Sequence, residues 1–425
     1  MTYAIVAIFV VGYLAIALEH PLRVNKAASA LLTGVLTWSV FALSSEHGVM
    51  EHLAEHVGEV SGILFFLIGA MTIVELIDAH DGFQVIVDII RTRSKKRLIA
   101  LISVITFFLS AVIDNLTTTI VLVSLLRKIV ADREERLLIV GLVVIVANAG
   151  GAWSPIGDVT TTMLWISGEI SAGHIIASTF VPSVVCAVIP AVAVAMSMKG
   201  ELVPPEQQAS ENYTTSAFER NIVFALGIAS LLFVPIFKTV THLPPFMGML
   251  CGLGLLWVVT EFIHADKDEA EKGVLSVNHA LRKIDTPSML FFLGILLAVA
   301  CLQSIGVLHS AAMWLDQTVG NIDVINLIIG LLSSIVDNVP LVAGAQGMYD
   351  IQRFPADHTF WIFLAYCAGT GGSTLIIGSA AGVAAMGLEH IEFFWYVRRV
   401  SWLALIGYFG GAAVFLAERA LFMGG

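Results

Sequence analysis

Long apolar runs alternate with short polar segments along almost the whole chain. Continuous runs of this kind occupy residues 2–18, 27–43, 60–77, 174–197, 218–237, 243–264, 287–305 and 399–417. An α-helix rises about 1.5 Å per residue, so about 20 apolar residues cross the ~30 Å hydrocarbon core of a bilayer. The pattern therefore predicts an all-α polytopic membrane protein.

Segment 98–126 departs from this pattern, because it is too long for one span and carries a polar pair near its middle. Asp114 and Asn115 lie there in the stretch SAVIDN (110–115), and three threonines begin at Thr117. Basic residues flank both ends, which places both ends on the cytoplasmic side. A re-entrant hairpin at about 98–130 satisfies these constraints, and its polar tip should face protein or a water-filled cavity.

The next run, about 137–166, is predicted to be a broken helix. Between Asn148 and Asp158 it contains three glycines and one proline. Glycine permits unusual backbone angles, and proline removes a backbone donor. Backbone groups freed at such a break can coordinate an ion.

These features return in the second half of the chain in the same order. SAVIDN (110–115) matches SSIVDN (333–338), FFLIG (65–69) matches FFLG (291–294), and ANAGGAWSPIG (147–157) matches AGTGGSTLIIG (368–378). The matches place a second hairpin at about 321–350 and a second broken helix at about 358–388. Because the spans that open the two halves are predicted to run in opposite directions, the repeats are predicted to be inverted.

The domain organisation follows from these matches. We predict N-terminal scaffold spans (1–59), a first inverted repeat (60–197), a polar cytoplasmic linker (198–217), scaffold spans with a cytoplasmic connection (218–286) and a second inverted repeat (287–425). This arrangement has ten crossings, with both termini outside the cytoplasm. Inverted repeats with paired broken helices are typical of secondary transporters.

Two polar segments are interpreted as ordinary surface. The acidic, histidine-rich stretch 44–59 is predicted to be an external loop. Glu75 and Asp78, near the inner end of the third span, are interpreted as interfacial residues.

Composition narrows the class of function. Charged residues make up 13% of the chain and hydrophobic residues 57%, whereas soluble domains carry roughly 25% charged residues. The net charge of −11 comes without a basic stripe, so no nucleic-acid partner is expected. No Walker-type loop is present, so no nucleotide is expected, and no cofactor is implied. The four cysteines lie far apart in apolar runs and are interpreted as buried small hydrophobes.

The polar residues of the two tips and two breaks are the candidate ion-binding residues. They are Asp114, Asn115, Thr117, Thr118, Asn148, Ser154, Asp158, Thr160, Thr161, Ser333, Asp337, Asn338, Thr370 and Ser373. Their hydroxyl, amide and carboxylate oxygens suit a small hard cation such as Na⁺ or Li⁺, with Asp114, Asn115, Asp158 and Asn338 as the predicted Na⁺ ligands. A buried carboxylate that holds either H⁺ or Na⁺ couples the exchange of the two ions by competition.

At these residues the chain resembles the NhaD-type sodium/proton antiporters of the ion transporter superfamily. The resemblance rests on the IDN and VDN tips, the NAGGAWSPIGD break and the threonines that follow it. It implies a homodimer in the inner (plasma) membrane that exchanges Na⁺ or Li⁺ for protons, with a scaffold part, a transport part and an elevator-like motion. It also implies roles in ion binding or coupling for Asp114, Asn115, Asn148, Asp158, Thr160, Thr161, Ser333 and Asn338.

Two other classes of function stay open at this point. An anion or metalloid transporter of the same superfamily, such as a dicarboxylate symporter or an arsenite exporter, shares the general plan. A carboxylate substrate would be expected to use an arginine or lysine, which neither tip nor break contains, or else helix N-termini together with bound sodium. The more remote alternative is an intramembrane enzyme with an aspartate dyad.

Overall fold

The computed structural model of the protein describes residues 1–44, 48–85, 92, 94–198, 200–201, 215–265, 267–335 and 337–422. The linker predicted at 198–217 lies largely outside these residues. So do Arg91 and Arg93 of the basic segment before the first hairpin, and Val336 in the second tip. Apart from one isolated bridge between Ser94 and Glu201, the regular structure of the described residues is helical.

Twenty-one α-helices and one 3₁₀ turn account for the regular structure of the described residues. In chain order they are α1 (Thr2–Ala17), α2 (Glu19–Leu22), α3 (Lys26–Ser44), α4 (Val49–Ala79), α5 (Lys95–Ile113), α6 (Asn115–Ile129), α7 (Arg133–Ala152), α8 (Val159–Ser167), α9 (Ala172–Ser197), α10 (Ala217–Thr241), α11 (Pro245–Ile263), α12 (Glu269–Leu275), α13 (Val277–Lys283), α14 (Thr286–Ser304), α15 (Val307–Thr318), α16 (Ile322–Leu332), α17 (Asn338–Met348), α18 (Thr359–Gly371), the 3₁₀ turn (Gly372–Thr374), α19 (Ala380–Glu389), α20 (Phe393–Arg399) and α21 (Ser401–Phe422).

Nine of these helices are long and apolar enough to cross a bilayer, or ten if the bent pair α15 and α16 counts as one span. The count covers the described residues alone. The protein is therefore a multi-pass, all-α membrane protein. The predicted orientation, with both termini outside, stays a prediction.

The external loop predicted at 44–59 is wrong from residue 49 onward. Val49 begins α4, so the acidic stretch forms its first three turns. Glu51, Glu55 and Glu59 recur every fourth residue, which puts them on one exposed face, while His56 lies on the buried face. The His56 ring is 3.1 Å from Glu59 Oε2 and 3.2 Å from Ser304 Oγ.

A second helix was not predicted from the sequence. The stretch that forms α15 mixes polar and apolar residues, and only Leu308 and Ala312, four positions apart, are buried. Helix α15 meets α16 at 119°. Its apolar stripe is too narrow to stand out in a hydropathy pattern.

Helices α7 and α18 occupy the centre of the fold. Every residue from 139 to 152 in α7 and from 360 to 371 in α18 is buried, as is typical of helices that are apolar all round. The two helices pack against each other, with α5, α6 and α9 around α7, and with α16 and α21 around α18. A separate group packs α3 between α1 and α14, and α4 contacts both α11 and α14.

The helices are interrupted at the four places where the sequence predicts a break. The interruptions separate α5 from α6, α7 from α8, α16 from α17, and α18 from α19. Asp114, between α5 and α6, has φ 86° and ψ 161°. A positive φ is uncommon for an aspartate, so surrounding contacts must hold this turn in place.

Matched residues of the two halves make matched contacts. Ser110 Oγ donates to the Ala147 carbonyl at 2.6 Å, and Ser333 Oγ donates to the Ala368 carbonyl at 3.0 Å. These bonds anchor the turns before α6 and α17 on α7 and α18. The local structure of the two halves is therefore equivalent at this point.

Glycines at the two breaks allow similar close approaches, one residue apart in the matched stretches. A Cβ added to Gly157 would lie 2.8 Å from the Ser110 carbonyl oxygen, and one added to Gly378 would overlap the Ser334 carbonyl. Both neighbours are backbone atoms, which side-chain rotation cannot move aside.

We expect Gly378→Ala to lower the free energy of unfolding by at least about 2 kcal/mol, because the methyl group overlaps fixed backbone. Thermal unfolding of the purified protein in detergent measures this change. Gly387→Ala is the matched control, since a Cβ there meets no atom within 4 Å. Equal melting temperatures for the two variants would contradict the close approach.

Candidate ion-binding site

The first carboxylate of the site lies at the start of α6. Asp114 caps this helix: its Oδ1 accepts the Thr117 backbone N–H at 2.7 Å, and its Oδ2 accepts the Thr117 hydroxyl at 2.9 Å. The chain reaches this position because the preceding turn is anchored by Ser110. Asp114 is partly exposed to the cleft.

The second carboxylate, Asp158, caps α8 and is 2% exposed. Its Oδ1 accepts the Thr160 N–H at 2.9 Å and the Thr160 hydroxyl at 2.6 Å. Asn115 donates to Oδ2 at 2.6 Å, and Asn338 donates to Oδ1 at 3.4 Å. Asp158 thus joins the two hairpin tips predicted from the sequence.

An amide relay links the remaining break to these groups. Asn115 Nδ2 also donates to Asn148 Oδ1 at 3.0 Å, and Asn148 Nδ2 donates to Ser379 Oγ at 3.0 Å. Ser379 in turn caps α19 by accepting the Gly382 N–H at 3.2 Å. Residues from all four breaks therefore belong to one contact network.

Four helix N-termini converge on this network, a feature that sequence analysis did not identify. Helices α6, α8, α17 and α19 begin after Asp114, Asp158, Asp337 and Ser379, whose side chains cap them. A helix N-terminus carries a partial positive charge that favours a nearby anion. The helix N-termini thus partly stabilise the negative charge of the aspartates.

A lysine also lines the site. Lys26 Nζ, at the start of α3, lies 3.3 Å from Asp337 Oδ2 and 4.5 Å from the centroid of the Phe291 ring. The tips and breaks themselves contain no Arg or Lys, as the sequence shows, and this lysine comes from outside them. Lys26 is 311 residues from Asp337, so no local motif indicates this pairing.

The central cleft, with a volume of about 60 Å³, has polar and apolar walls. Its polar lining includes Lys26, Asp114, Asn115, Asp158, Asp337 and Asn338. Apolar side chains of α4, α10, α11 and α14 close the opposite side, including Phe66, Leu231, Met249 and Phe292. A water needs about 10–15 Å³ by this kind of measure, so the space suits a cation with a few waters.

A larger cavity of about 310 Å³ adjoins the cleft through Met71 and Leu116, which line both. It extends along α6 to the ends of α4 and α13. Its acidic lining residues are Glu75, Asp78, Asp81 and Asp285, and Lys283 lies 3.2 Å from Glu75 Oε1. Glu75 and Asp78, interpreted from sequence as interfacial, therefore also line a route towards the cleft.

Five predicted site residues donate their hydroxyls to backbone carbonyls of the protein. Ser154 Oγ donates to the Ala111 carbonyl, and Ser333 Oγ to Gly330 and Ala368. Hydroxyls that donate to a carbonyl three or four residues earlier belong to Thr161, Thr370 and Ser373. Thr118 Oγ1 is buried with no hydrogen-bond partner among the described residues. The five hydrogen-bonded side chains help to fix the breaks, and none of the six lines the central cleft.

Comparison with known proteins gives consistent matches. The sequence profile of the citrate transporter family matches residues 13–369. Sodium/proton antiporter 1 of Arabidopsis thaliana is 49% identical over 98% of this chain and 73% of its own length. Sodium/proton antiporter 2 of the same plant is 46% identical over 96% of this chain and 98% of its own length.

A bacterial relative extends this similarity. The Na⁺/H⁺ antiporter NhaD of Vibrio cholerae is 29% identical over 96% of this chain and 89% of its own length. All of these matches are to transporters, which disfavours the intramembrane enzyme considered from the sequence. The chain belongs to the citrate transporter family and, within it, to the NhaD-type sodium/proton antiporters.

Proposed function

We propose that this protein exchanges Na⁺ or Li⁺ for H⁺ across the inner (plasma) membrane by competition of cation and proton for buried carboxylates. The observation that carries the proposal is that two carboxylates, those of Asp114 and Asp158, line the same cleft. Among the described residues, no basic side chain forms an ion pair with either carboxylate. Each is therefore available to a transported ion.

The hydrogen bonds around the cleft favour a cation over an anion. The side-chain amide hydrogens of Asn115 are donated to Asn148 and Asp158, which leaves the side-chain oxygen Oδ1 for a ligand. The same holds for Asn338, whose amide nitrogen donates to Asp158. Carboxylate and amide oxygens are the ligands that hard cations prefer.

Exchange follows if H⁺ and Na⁺ bind in turn to the same carboxylate. A carboxylate that has lost its proton can bind Na⁺, and a carboxylate that has lost Na⁺ can accept a proton. If the site reaches the two sides of the membrane in turn, each passage carries one kind of ion. The acid-lined cavity beside α6 supplies a cation route to the predicted cytoplasmic side.

The fold proposed for this exchange consists of two inverted repeats, each with a re-entrant hairpin and a broken helix. The equivalent serine and glycine contacts of the two halves support this arrangement. Helices outside the repeats would form the scaffold of a homodimer embedded in the lipid bilayer. Inverted repeats provide two related conformations that open to opposite sides.

A pH-gradient assay in everted vesicles tests the activity. We expect added Na⁺ or Li⁺ to dissipate an acidic interior in vesicles that contain the protein, because the cations displace bound protons. A fluorescent pH probe follows the change, and vesicles without the protein are the control. Failure of every alkali cation to dissipate the gradient would refute the proposal.

Substitution of the carboxylates tests the mechanism. We expect Asp114→Asn and Asp158→Asn each to reduce exchange to the level of vesicles without the protein. Asparagine is also a good helix N-cap, so the helices should keep their starts. Asp132→Asn is the matched control, because exposed Asp132 caps α7 by accepting the Glu135 N–H at 2.8 Å. Near-normal exchange by both site variants would exclude carboxylate competition.

Anion transport is the second candidate, favoured by the description of the family profile and by Lys26 in the cleft. Lys26 is paired with Asp337, and the two remaining carboxylates would repel a carboxylate substrate. Uptake of radiolabelled citrate or succinate into the same vesicles, without any response to alkali cations, would identify an anion transporter instead.

A further inference from the structure

The two hairpin tips are equivalent in sequence but not in charge. Asp114 and Asp337 hold matched positions in SAVIDN and SSIVDN, and each caps the helix that follows. Asp114 accepts both the N–H and the hydroxyl of Thr117, whereas Asp337 accepts the Val339 N–H at 3.2 Å. At Asp337 the further donor is the Lys26 ammonium group at 3.3 Å.

The lysine comes from outside both predicted repeats. Its helix α3 packs closely on α14, since a Cβ added to Gly34 would lie 2.6 Å from the Gly294 carbonyl oxygen. The Trp38 indole N–H donates to the Leu297 carbonyl at 2.8 Å along the same interface. The close packing of α3 on α14 therefore sets the position of the lysine backbone, and Asp337 and Phe291 contact its ammonium group.

The Lys26–Asp337 pair is partly buried, so water screens its charges less than it would at the surface. The side chains of Lys26 and Asp337 are 25% and 18% exposed, and the ammonium group also lies over the Phe291 ring. Both residues line the same cleft as Asp114 and Asp158. An uncompensated charge at this place would act on any ion bound a few ångströms away.

The break residues carry the same asymmetry. Asp158 caps α8, whereas the matched break of the second half has Ser379 capping α19. The first half thus contributes two carboxylates without a fixed cation among the described residues. The second half contributes one carboxylate with a lysine beside it.

We propose that Lys26 is a charge-setting positioning residue of the transport site. Its ammonium group occupies the cation position of the second half, keeps Asp337 in a fixed ion pair, and confines the transported cation to Asp114 and Asp158. This inference rests on the proposed cation exchange. It predicts that the net charge of the pair matters, so that losing either partner alone alters cation binding and losing both partners largely restores it.

A double-mutant cycle tests the proposal. We expect Asp337→Asn to raise the KM for Na⁺ about tenfold or more with a smaller change in kcat, because an unpaired ammonium group then repels the cation. Lys26→Gln leaves a third carboxylate in the cleft and should lower the KM for Na⁺ or increase the number of Na⁺ ions bound. The double variant Lys26→Gln/Asp337→Asn should return to within about threefold of wild type.

Two further variants separate charge from structure. Lys26→Arg keeps the charge and should stay near wild type in its KM for Na⁺. Lys95→Gln removes a lysine from a different, partly buried ion pair and should leave the KM for Na⁺ unchanged. The Lys95 ammonium group lies 2.5 Å from Glu135 Oε1, at the other end of α5 from Asp114. Size-exclusion chromatography checks folding, and Na⁺-dependent thermal stabilisation of the purified variants gives a second measure of binding.

The outcomes distinguish this inference from the proposed function. If wild-type protein exchanges no cation, the proposed function fails and this inference fails with it. If wild type exchanges Na⁺ but the double variant is as impaired as Asp337→Asn, the pair is only structural and the charge-setting role is overturned. If Lys26→Gln instead abolishes citrate uptake while Na⁺ has no effect, Lys26 is an anion ligand.

Discussion

A carboxylate that is 2% exposed must be supplied with hydrogen-bond donors by the protein, and Asp158 draws its donors from three separate segments. Thr160 belongs to its own helix, Asn115 to the first tip and Asn338 to the second. Moving any of these segments leaves a buried charge with fewer partners, which costs several kcal/mol. The hydrogen bonds to Asp158 therefore constrain where these segments can lie relative to one another.

The convergence of four helix N-termini explains how such a site can exist before a cation binds. Asp114, Asp158 and Asp337 each accept a backbone N–H at the start of a helix. The helix dipoles offset part of the negative charge. In the proposed exchange, carboxylates that are already partly stabilised would bind a cation only moderately tightly, so that both binding and release can occur. A transporter needs both steps, whereas a storage protein needs only tight binding.

Much of this architecture could be predicted from the sequence, because apolar runs and interrupted helices leave local signals. The helices are interrupted around Gly157 and at Asp114, where the sequence predicts interruptions. Other features depend on contacts between distant residues and leave no local pattern. Lys26 is an ordinary turn residue in sequence and becomes part of the cleft through its pairing with Asp337. The helical start of α4 was missed because glutamates on its exposed face resemble a loop.

The equivalence of the two halves is strongest in the backbone and weakest at the cleft. Ser110 and Ser333 make the same carbonyl contact, yet Asp158 is matched by a serine, and Lys26 accompanies only Asp337. Equivalent backbones suit a fold that must adopt two related conformations of similar energy. Equivalent charges would place four carboxylates around one small cleft and require several cations for each passage. In the proposed exchange, Ser379 at one matched position and the Lys26–Asp337 pair at another would leave two carboxylates to bind the transported ions. The number of ions carried would then depend on these charges and not on the repeated backbone.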